Sequence, residues 1–204
     1  METAVLVPIK GFSAAKQRLE PALSADQRER LARWTAERVL AAGGEHPVYV
    51  VCDDENVAAW AREHGATVLW EIDQGLNAAV DHAVRCVAAA GHDHVVVVHG
   101  DLPRPTRLDA FVSARTITLV PDRHADGTNL MSFPTANPVR SAYGPGSFRR
   151  HLATAMSIGT AVRVISDPLI ALDIDQPGDL DHPLVKEVLP TWLRTNLVNP
   201  SPMR

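Results

Sequence analysis

The 204-residue sequence lacks the features that would place it in a membrane, on nucleic acid or in an oxidising compartment. Its two cysteines, Cys52 and Cys86, are too few for a disulfide framework, and each lies in an apolar run where a small buried residue suffices. No apolar run approaches the roughly 20 residues of a membrane span, and the N-terminus has no basic segment followed by an apolar signal core. The net charge of -4 argues against a general nucleic-acid surface, which would be basic. We therefore expect a cytoplasmic protein that binds neither membranes nor nucleic acid.

The sequence also lacks internal repeats, low-complexity segments and any linker that would separate two domains. Hydrophobic residues make up 46% and charged residues 22%, which are ordinary values for a globular protein and exclude wholesale disorder. A chain of 204 residues fits one domain with a substantial core. We predict one domain over residues 1–190 and a loosely ordered tail over residues 191–204.

What the sequence does contain is an alternation of apolar, strand-like runs and amphipathic helices. In the first half, strands are predicted at residues 3–9, 48–52, 66–70 and from 95 onward, with helices at 24–42, 55–64 and 75–90 between them. This order is typical of a parallel α/β sheet with helices on both faces. The second half is less regular, with strands predicted at 116–120, 130–133, 162–165 and 169–174, a helix after Ser147 and a last helix from Asp179.

The run of four valines at residues 95–98 predicts a short strand that is buried on both faces. Asp101 follows just past the carboxyl end of that strand, where open α/β sheets bind their ligands. A carboxylate in this place could hold a metal ion over a phosphorylated ligand. The alternative is that Asp101 only caps the short helix after Pro103, because aspartate is a preferred N-cap. For Asp101 alone, the cap is the simpler interpretation.

A second acidic feature is the pair Asp173 and Asp175, which alternates with apolar residues at the end of the strand predicted at 169–174. Residues two apart along a strand point to the same face, so the two carboxylates are expected side by side. Like charges this close repel each other unless a cation lies between them. The pair therefore favours a metal site.

The loop after the first predicted strand carries three cations, Lys10, Lys16 and Arg18. It is not a Walker loop, because the glycine spacing and the Lys-Ser/Thr pair are missing. It is similar to a phosphate-holding loop of another kind, in which lysine and arginine side chains supply the positive charge. On the loop alone, a solvated basic loop is the more economical alternative.

Two predicted helix starts carry groups that suit a ligand. Asn77 lies beside Gly75, which lets a flat ligand approach the backbone, and its amide offers the donor and acceptor needed to read a nucleobase edge. Residues 143–148 offer two glycines and Ser147 to an anion at a helix N-terminus. The alternatives are a plain helix-start asparagine and a Gly-Pro turn with a serine cap. Together with the aspartates and the basic loop, these groups fit one site for a nucleoside triphosphate and a second anion.

These features belong to a longer set of short motifs that occurs in order along nearly the whole chain. The set consists of Pro8-x-Lys10, Ala15-Lys16-x-Arg18-Leu19, Gly75-x-Asn77-Ala78-Ala79, Gly100-Asp101-Leu102-Pro103, Asp122-Arg123, Asp126-Gly127-Thr128-Asn129, Tyr143-Gly144-Pro145-Gly146-Ser147-Phe148 and Leu172-Asp173-Ile174-Asp175-x-Pro177-x-Asp179-Leu180. In these segments the chain resembles the guanylyltransferase family that makes the deazaflavin-type coenzyme F420, known for 2-phospho-L-lactate guanylyltransferase and phosphoenolpyruvate guanylyltransferase. Gln17, where the family often has serine, and the polar run Arg104-Pro105-Thr106 depart from the pattern.

The resemblance implies a fold, a reaction and a set of site residues. The fold is an α/β, Rossmann-like nucleotidyltransferase fold of the nucleotide-diphospho-sugar transferase type, with a mixed central sheet and helices on both faces. The reaction joins GTP to phosphoenolpyruvate, 2-phospho-L-lactate or 3-phosphoglycerate and releases pyrophosphate, in coenzyme F420 biosynthesis. The residues implied for catalysis are Lys16, Asp101, Asp173 and Asp175, and the three aspartates are also the implied ligands of Mg²⁺. The residues implied for binding the nucleotide are Pro8, Lys10, Lys16, Arg18, Asn77 and Ala78. Those implied for binding the phosphate of the acceptor are Thr128, Gly144 and Ser147.

Two other functions stay open at this point. One is a nucleotidyltransferase of the same fold with another acceptor, such as the molybdenum cofactor or a sugar phosphate, although the Gly-rich, Arg-bearing first loop typical of those families is missing. The other is a nucleotide-binding module without activity, which would have little need for three aspartates at a metal site. As partners we expect the small-molecule substrates, a second copy of the chain in a homodimer, and the next pathway enzyme for hand-off of the product.

Overall fold

The computed structural model describes residues 1–71 and 75–198. The strands in this part of the chain are β1 (Thr3–Pro8), β2 (Val48–Cys52), β3 (Thr67–Trp70), β4 (His94–Val98), β5 (Thr116–Pro121), β6 (Thr128–Pro134) and β7 (Ala161–Val164). The helices are α1 (Ala25–Ala42), α2 (Glu55–Glu63), α3 (Gly75–Ala89), α4 (Ser147–Ser157), α5 (Pro183–Lys186) and α6 (Thr191–Val198). The capping box predicted for α1 is present, because Ser24 and Gln27 bond to each other's backbone N–H group.

All seven strands join one sheet in the order β3-β2-β1-β4-β6-β5-β7. The pairs from β3 to β4 are parallel, as the alternation of strands and helices predicts. Strand β6 runs antiparallel to both β4 and β5, and β7 is parallel to β5. The sheet is therefore mixed, and the parallel half places the carboxyl ends of β1, β2, β3 and β4 along one edge.

Helices cover both faces of the sheet because its central strands are apolar on both sides. In β1, Val5 and Val7 pack with α1 and α2, while Ala4 and Leu6 pack with α3 and α4 on the other face. The valines of β4 divide in the same way, and all four are fully buried. This arrangement confirms the predicted fold class.

One predicted strand, at residues 169–174, is not a strand. The Asp167 carboxylate accepts hydrogen bonds from the backbone N–H groups of Leu169 and Ile170 at 2.8 and 2.9 Å, and this turn directs the chain away from the sheet. Residues Ile170, Leu172 and Ile174 are still buried, but they pack into two different core clusters and do not pair with a neighbouring strand. Their apolar spacing reflects this burial.

The C-terminal segment also differs from the prediction. A short 3-10 helix spans Pro177–Asp181 where one last helix was predicted to begin at Asp179, and two further helices, α5 and α6, follow it. Helix α6 begins at residue 191, where the tail was expected to start, and Leu193 is fully buried in a cluster with Leu31 of α1. This apolar contact joins the helix to α1. Residues 199–204 of the predicted tail lie outside the described residues.

Over residues 1–71 and 75–198, no helix has both the length and the apolar composition that crossing a membrane requires.

Candidate active site

A cavity of about 870 Å³ opens at the carboxyl edge of β1, β2, β3 and β4, where open α/β sheets bind ligands. The segments that follow these strands make its walls, together with one face of α1 and the start of α3. Its polar lining includes Lys10, Lys16, Asp53, Glu71, His99, Asp101 and Asp175. The cavity thus brings the cations of the first loop next to aspartates from distant parts of the chain.

The three predicted metal ligands lie together beside this cavity. Asp101, Asp173 and Asp175 each offer a carboxylate oxygen, and these oxygens lie within 4.8 Å of one another. The next helical turn after Asp101 starts at Leu108 with Arg107 at its N-cap, so the capping role considered for Asp101 is wrong. The carboxylate of Asp101 is therefore not used to cap a helix.

Asp173 and Asp175 reach this cluster from a loop, and Asp179 gives the loop its shape. The carboxylate of Asp179 accepts hydrogen bonds from the backbone N–H groups of Asp175 and Gln176, both at 2.7 Å, and forms a close ion pair with Arg123. Asp179 is only 4% exposed, which strengthens these charge-assisted bonds. The two aspartates therefore lie side by side because of the loop and its carboxylate brace, and not because of strand alternation.

Lys16 is the cation at the centre of the aspartates. Its side chain is 7% exposed, and Nζ donates to Asp101 Oδ2 at 2.9 Å, to the carbonyl oxygen of Ile174 at 2.6 Å and to Asp175 Oδ1 at 3.4 Å. Its φ of 58° is in the left-handed region, a strained conformation for a residue with a side chain and one that is commonest at functional sites. Burial disfavours the ammonium charge, but attraction to Asp101 and Asp175 outweighs burial and raises the pKa of Lys16. Lys16 is therefore charged at neutral pH.

The cluster holds more negative charge than Lys16 balances. Burial opposes the charge of Asp101, but Lys16 outweighs burial and lowers the pKa of Asp101. For Asp173, burial and the repulsion of Asp101 and Asp175 raise the pKa to about 7. Moreover, Asp101 Oδ1 is buried and accepts no hydrogen bond from the described residues. Close carboxylates, one of them with an unpartnered oxygen, suit a hard divalent cation such as Mg²⁺.

The remaining residues predicted to bind the nucleotide differ in their relation to the cavity. Pro8 and Lys10 line it, and Lys10 is exposed. Arg18 and Ala78 are exposed and are not among the described residues of the cavity wall. Arg18 lies 3.7 Å from Asp175 Oδ2, so it faces the aspartate cluster from outside.

Asn77 makes contacts that differ from those expected of a base reader. Its Oδ1 accepts a hydrogen bond from the backbone N–H of Tyr143 at 2.6 Å, and its Nδ2 donates to the carbonyl oxygen of the same residue at 3.4 Å. Both ends of the amide are therefore engaged with the loop that precedes α4. In this arrangement Asn77 holds that loop against the start of α3.

The residues predicted to bind the acceptor phosphate lie near the start of α4. Thr128 begins β6 and is 2% exposed, and its Oγ1 lies 2.9 Å from His151 Nδ1. The backbone N–H of Ala142 donates to His151 Nε2 at 2.8 Å, so Nδ1 carries the proton and donates to Thr128. The hydroxyl hydrogen of Thr128 is thus left for another acceptor. Burial lowers the pKa of His151 to about 4, which keeps this tautomer neutral.

Gly144 and Ser147 belong to the same loop and to the first position of α4. Gly144 has a φ of 115° and Gly146 a φ of 70°, conformations that only glycine adopts without strain. The Arg150 guanidinium donates to the carbonyl oxygen of Ala142 at 2.7 Å and thereby holds the loop in this shape. Ser147 is 2% exposed.

Sequence reasoning missed three groups that the structure brings to the site. Glu71, which follows β3, lines the cavity with a side chain that is only 5% exposed and pairs closely with His82 of α3. Arg123 and Asp179 belong to the motifs shared with the family, but the sequence indicated no role for either residue. The sequence signal for Glu71 as a site residue was its position directly after a predicted strand, because ligand-binding groups collect at the ends of strands.

Comparison with known proteins gives a family for residues 3–187, which match the model described as "Guanylyl transferase CofC like". The chain is 36% identical over 195 residues to phosphoenolpyruvate guanylyltransferase of Sphaerobacter thermophilus, covering 89% of this chain and 92% of that protein. It is 30% identical over 188 residues to 2-phospho-L-lactate guanylyltransferase of Methanothermobacter thermautotrophicus, covering 88% and 83%.

Solved structures agree with the fold. A putative nucleotide-diphospho-sugar transferase from Desulfovibrio desulfuricans superposes with a TM-score of 0.74 at 16% identity, covering 98% of this chain and 89% of that one. A nucleotidyl transferase from Methanothermobacter superposes with a TM-score of 0.63 at 18% identity, covering 96% and 99%. At these sequence identities, the structural similarity supports the nucleotidyltransferase fold and gives no information about substrates.

Proposed function

The chain belongs to the CofC-like guanylyl transferase family, and from this membership we propose that it transfers the guanylyl group of GTP to phosphoenolpyruvate or 2-phospho-L-lactate. 3-Phosphoglycerate is a third acceptor with the same phosphate and carboxylate. The observation that carries the proposal is the cluster of Asp101, Asp173, Asp175 and Lys16 beside a cavity large enough for a nucleotide. Family membership decides against the molybdenum-cofactor, sugar-phosphate and non-catalytic alternatives.

In the proposed complex, the triphosphate lies over the first loop. Lys10 and Lys16 would contact its phosphates, Arg18 would approach from outside the cavity, and the backbone around Pro8 and Ala78 would flank the nucleoside. The phosphate of the acceptor would be bound by Thr128, Gly144 and Ser147. The free hydroxyl hydrogen of Thr128 supports this placement, because a phosphate oxygen is the acceptor that such a donor lacks.

Asp101, Asp173 and Asp175 would hold Mg²⁺, and the unpartnered Asp101 Oδ1 supports this assignment. When bound, the ion supplies positive charge that lowers the repulsion between the two phosphorylated substrates. Lys16 adds a fixed ammonium group next to the same aspartates, and the loop shaped by Asp179 keeps the carboxylates in place.

The reaction itself needs no general base. The second pKa of a phosphomonoester is about 6, so the acceptor phosphate is already an anion at neutral pH. One of its oxygens attacks the α-phosphorus of GTP, a new P–O bond forms, and the bond to the β-phosphate breaks to release pyrophosphate. The protein contributes in-line alignment and cancellation of charge repulsion. None of the histidines is required to transfer a proton.

The test is pyrophosphate release with GTP and Mg²⁺, measured in parallel with phosphoenolpyruvate, 2-phospho-L-lactate and 3-phosphoglycerate, with ATP and CTP as controls. We expect release with GTP and with one of the acids strongly preferred. Folded protein that binds GTP and yet releases no pyrophosphate with any of the three acids would contradict the proposal. The proposal retains the expected cytoplasmic location, the homodimer and the hand-off of product to the next pathway enzyme.

A further inference from the structure

Glu71 occupies the end of the cavity opposite to the aspartate cluster. It follows β3, whereas Asp101 follows β4, and the order β3-β2-β1-β4 puts three strand spacings between them. At about 4.8 Å for each spacing, the two residues lie roughly 14 Å apart along the edge of the sheet. This separation is comparable with the length of an extended nucleoside triphosphate. A nucleotide whose phosphates lie near Asp101 would therefore bring its base close to Glu71.

The carboxylate of Glu71 is buried and held in one orientation. Its side chain is 5% exposed, and Oε1 pairs closely with Nδ1 of His82, which projects from α3. Glu71 also lines the cavity, so its carboxylate borders the space that a ligand would fill. A carboxylate is a hydrogen-bond acceptor only, and one with so little access to water pairs best with a ligand that presents N–H donors.

Guanine presents such donors, because its N1–H and its 2-amino group lie next to each other on one edge. Adenine has an unprotonated N1 and a C2–H on the same edge and would leave the carboxylate unpaired. We propose that Glu71 selects guanine by accepting hydrogen bonds from N1–H and the 2-amino group, and that His82 is a positioning residue that orients this carboxylate. The proposal deepens the proposed function, since it rests on the cavity being the GTP site.

The other polar groups nearby fit this role less well. The amide of Asn77 is engaged at both ends with the backbone of Tyr143. Asp53 follows β2 and lines the same cavity, but it is exposed, so water already solvates its carboxylate. Hydrogen bonds discriminate strongly between ligands only where the unpaired group would stay buried. Asp53→Asn therefore provides a matched control, because it removes the same charge from the same cavity but at an exposed position.

The experiment compares GTP, ITP and ATP as substrates of the wild type, Glu71→Gln, His82→Gln and Asp53→Asn, with one acceptor at a fixed Mg²⁺ concentration. ITP keeps N1–H and lacks only the 2-amino group. For Glu71→Gln we expect kcat/KM for GTP to fall roughly 10- to 100-fold, with the loss in KM, since Glu71 is far from the reacting phosphates. The preference for GTP over ITP should shrink towards unity. His82→Gln should raise KM for GTP less than Glu71→Gln does, and Asp53→Asn should keep the wild-type preference for GTP over ITP within about twofold.

Direct binding separates this proposal from the proposed function. The dissociation constants of GTP and ITP, measured without acceptor, should show the same loss of discrimination in Glu71→Gln. If the wild type binds GTP but forms no product, the proposed function fails while the binding ratio still tests Glu71. A wild-type GTP-to-ITP ratio that persists in Glu71→Gln, or that collapses in Asp53→Asn instead, would overturn the assignment. If Glu71→Gln does not stay folded, Glu71→Asp keeps the charge, withdraws it by one methylene, and should lose the same discrimination.

Discussion

Replacing Asp173 by asparagine should stabilise the metal-free protein while abolishing its activity. Burial and repulsion by Asp101 and Asp175 raise the pKa of Asp173 from 3.8 to about 7. Between these two pH values the folded state binds more protons than the unfolded state, so stability falls as the pH rises through this window. Above pH 7 the whole penalty is present. The side chain of asparagine is neutral and nearly isosteric, so Asp173→Asn removes the penalty.

The size of the gain follows from the shift in pKa. The shift from 3.8 to about 7 corresponds to about 4 kcal/mol as an upper bound. The cluster adjoins an open cavity, so screening by water reduces the expected gain to about 1–3 kcal/mol. For a chain of this size, the melting temperature should rise by roughly 2–10 °C. Turnover should be lost in the same variant, because it removes one of the three carboxylates proposed to hold Mg²⁺.

The assay is thermal or urea unfolding at pH 8 and at pH 4, in the presence of a chelator and again with excess Mg²⁺. The stabilisation should be present at pH 8 and absent at pH 4, and Mg²⁺ should stabilise the wild type more than the variant. Asp181→Asn is the control, since the Asp181 side chain is 78% exposed in the same segment and should change stability by less than about 0.5 kcal/mol. A chelated Asp173→Asn protein that is less stable than the wild type at pH 8 would refute the reasoning about carboxylate repulsion.

Four further changes test other parts of the site and of the core. Lys16→Gln should lower kcat on the order of 10²- to 10³-fold in the pyrophosphate assay, because it removes a preorganised cation next to the aspartates. Asp179→Ala should weaken Mg²⁺ binding about tenfold or more by calorimetry, because the loop that carries two ligands loses its brace. Thr128→Val should raise KM for the acceptor roughly tenfold and leave KM for GTP unchanged. Burial lowers the pKa of His94 from 6.5 to about 4, so the unfolded state binds more protons in between. The contribution of His94 to stability should therefore fall by about 1–2 kcal/mol from pH 7 to pH 5, in the same direction as that of His151 and opposite to that of Asp173. His94→Gln should flatten this dependence in urea unfolding.

The first half of the fold could be predicted from the sequence because its signals are local. Four consecutive valines predict strand β4, and an amphipathic run that begins with a capping box predicts helix α1. The segment 169–174 could not be read correctly, because its apolar spacing arises from burial in two core clusters and not from strand pairing. Its turn depends on the Asp167 side chain, which competes with the sheet for backbone N–H groups.

The candidate site shows the same division between local and long-range information. Asp173 and Asp175 were expected next to each other for a reason that is wrong, since the loop and its Asp179–Arg123 brace produce the arrangement. That brace joins residues 56 positions apart in the chain. The residue types and their order in the sequence were sufficient to identify the three carboxylates. The residues that hold these carboxylates in place could be identified only from tertiary contacts, which no local sequence pattern encodes.

Asn77 links the two halves of the proposed site. It lies in the first turn of α3, whose residues Gly75 and Leu76 line the cavity, and its amide bonds to the backbone of Tyr143 on the other side. Tyr143 directly precedes Gly144, one of the residues proposed to bind the acceptor phosphate. Two hydrogen bonds therefore join the start of α3 to the loop that precedes α4. In the proposed site, Asn77 would therefore connect the nucleotide side with the acceptor side.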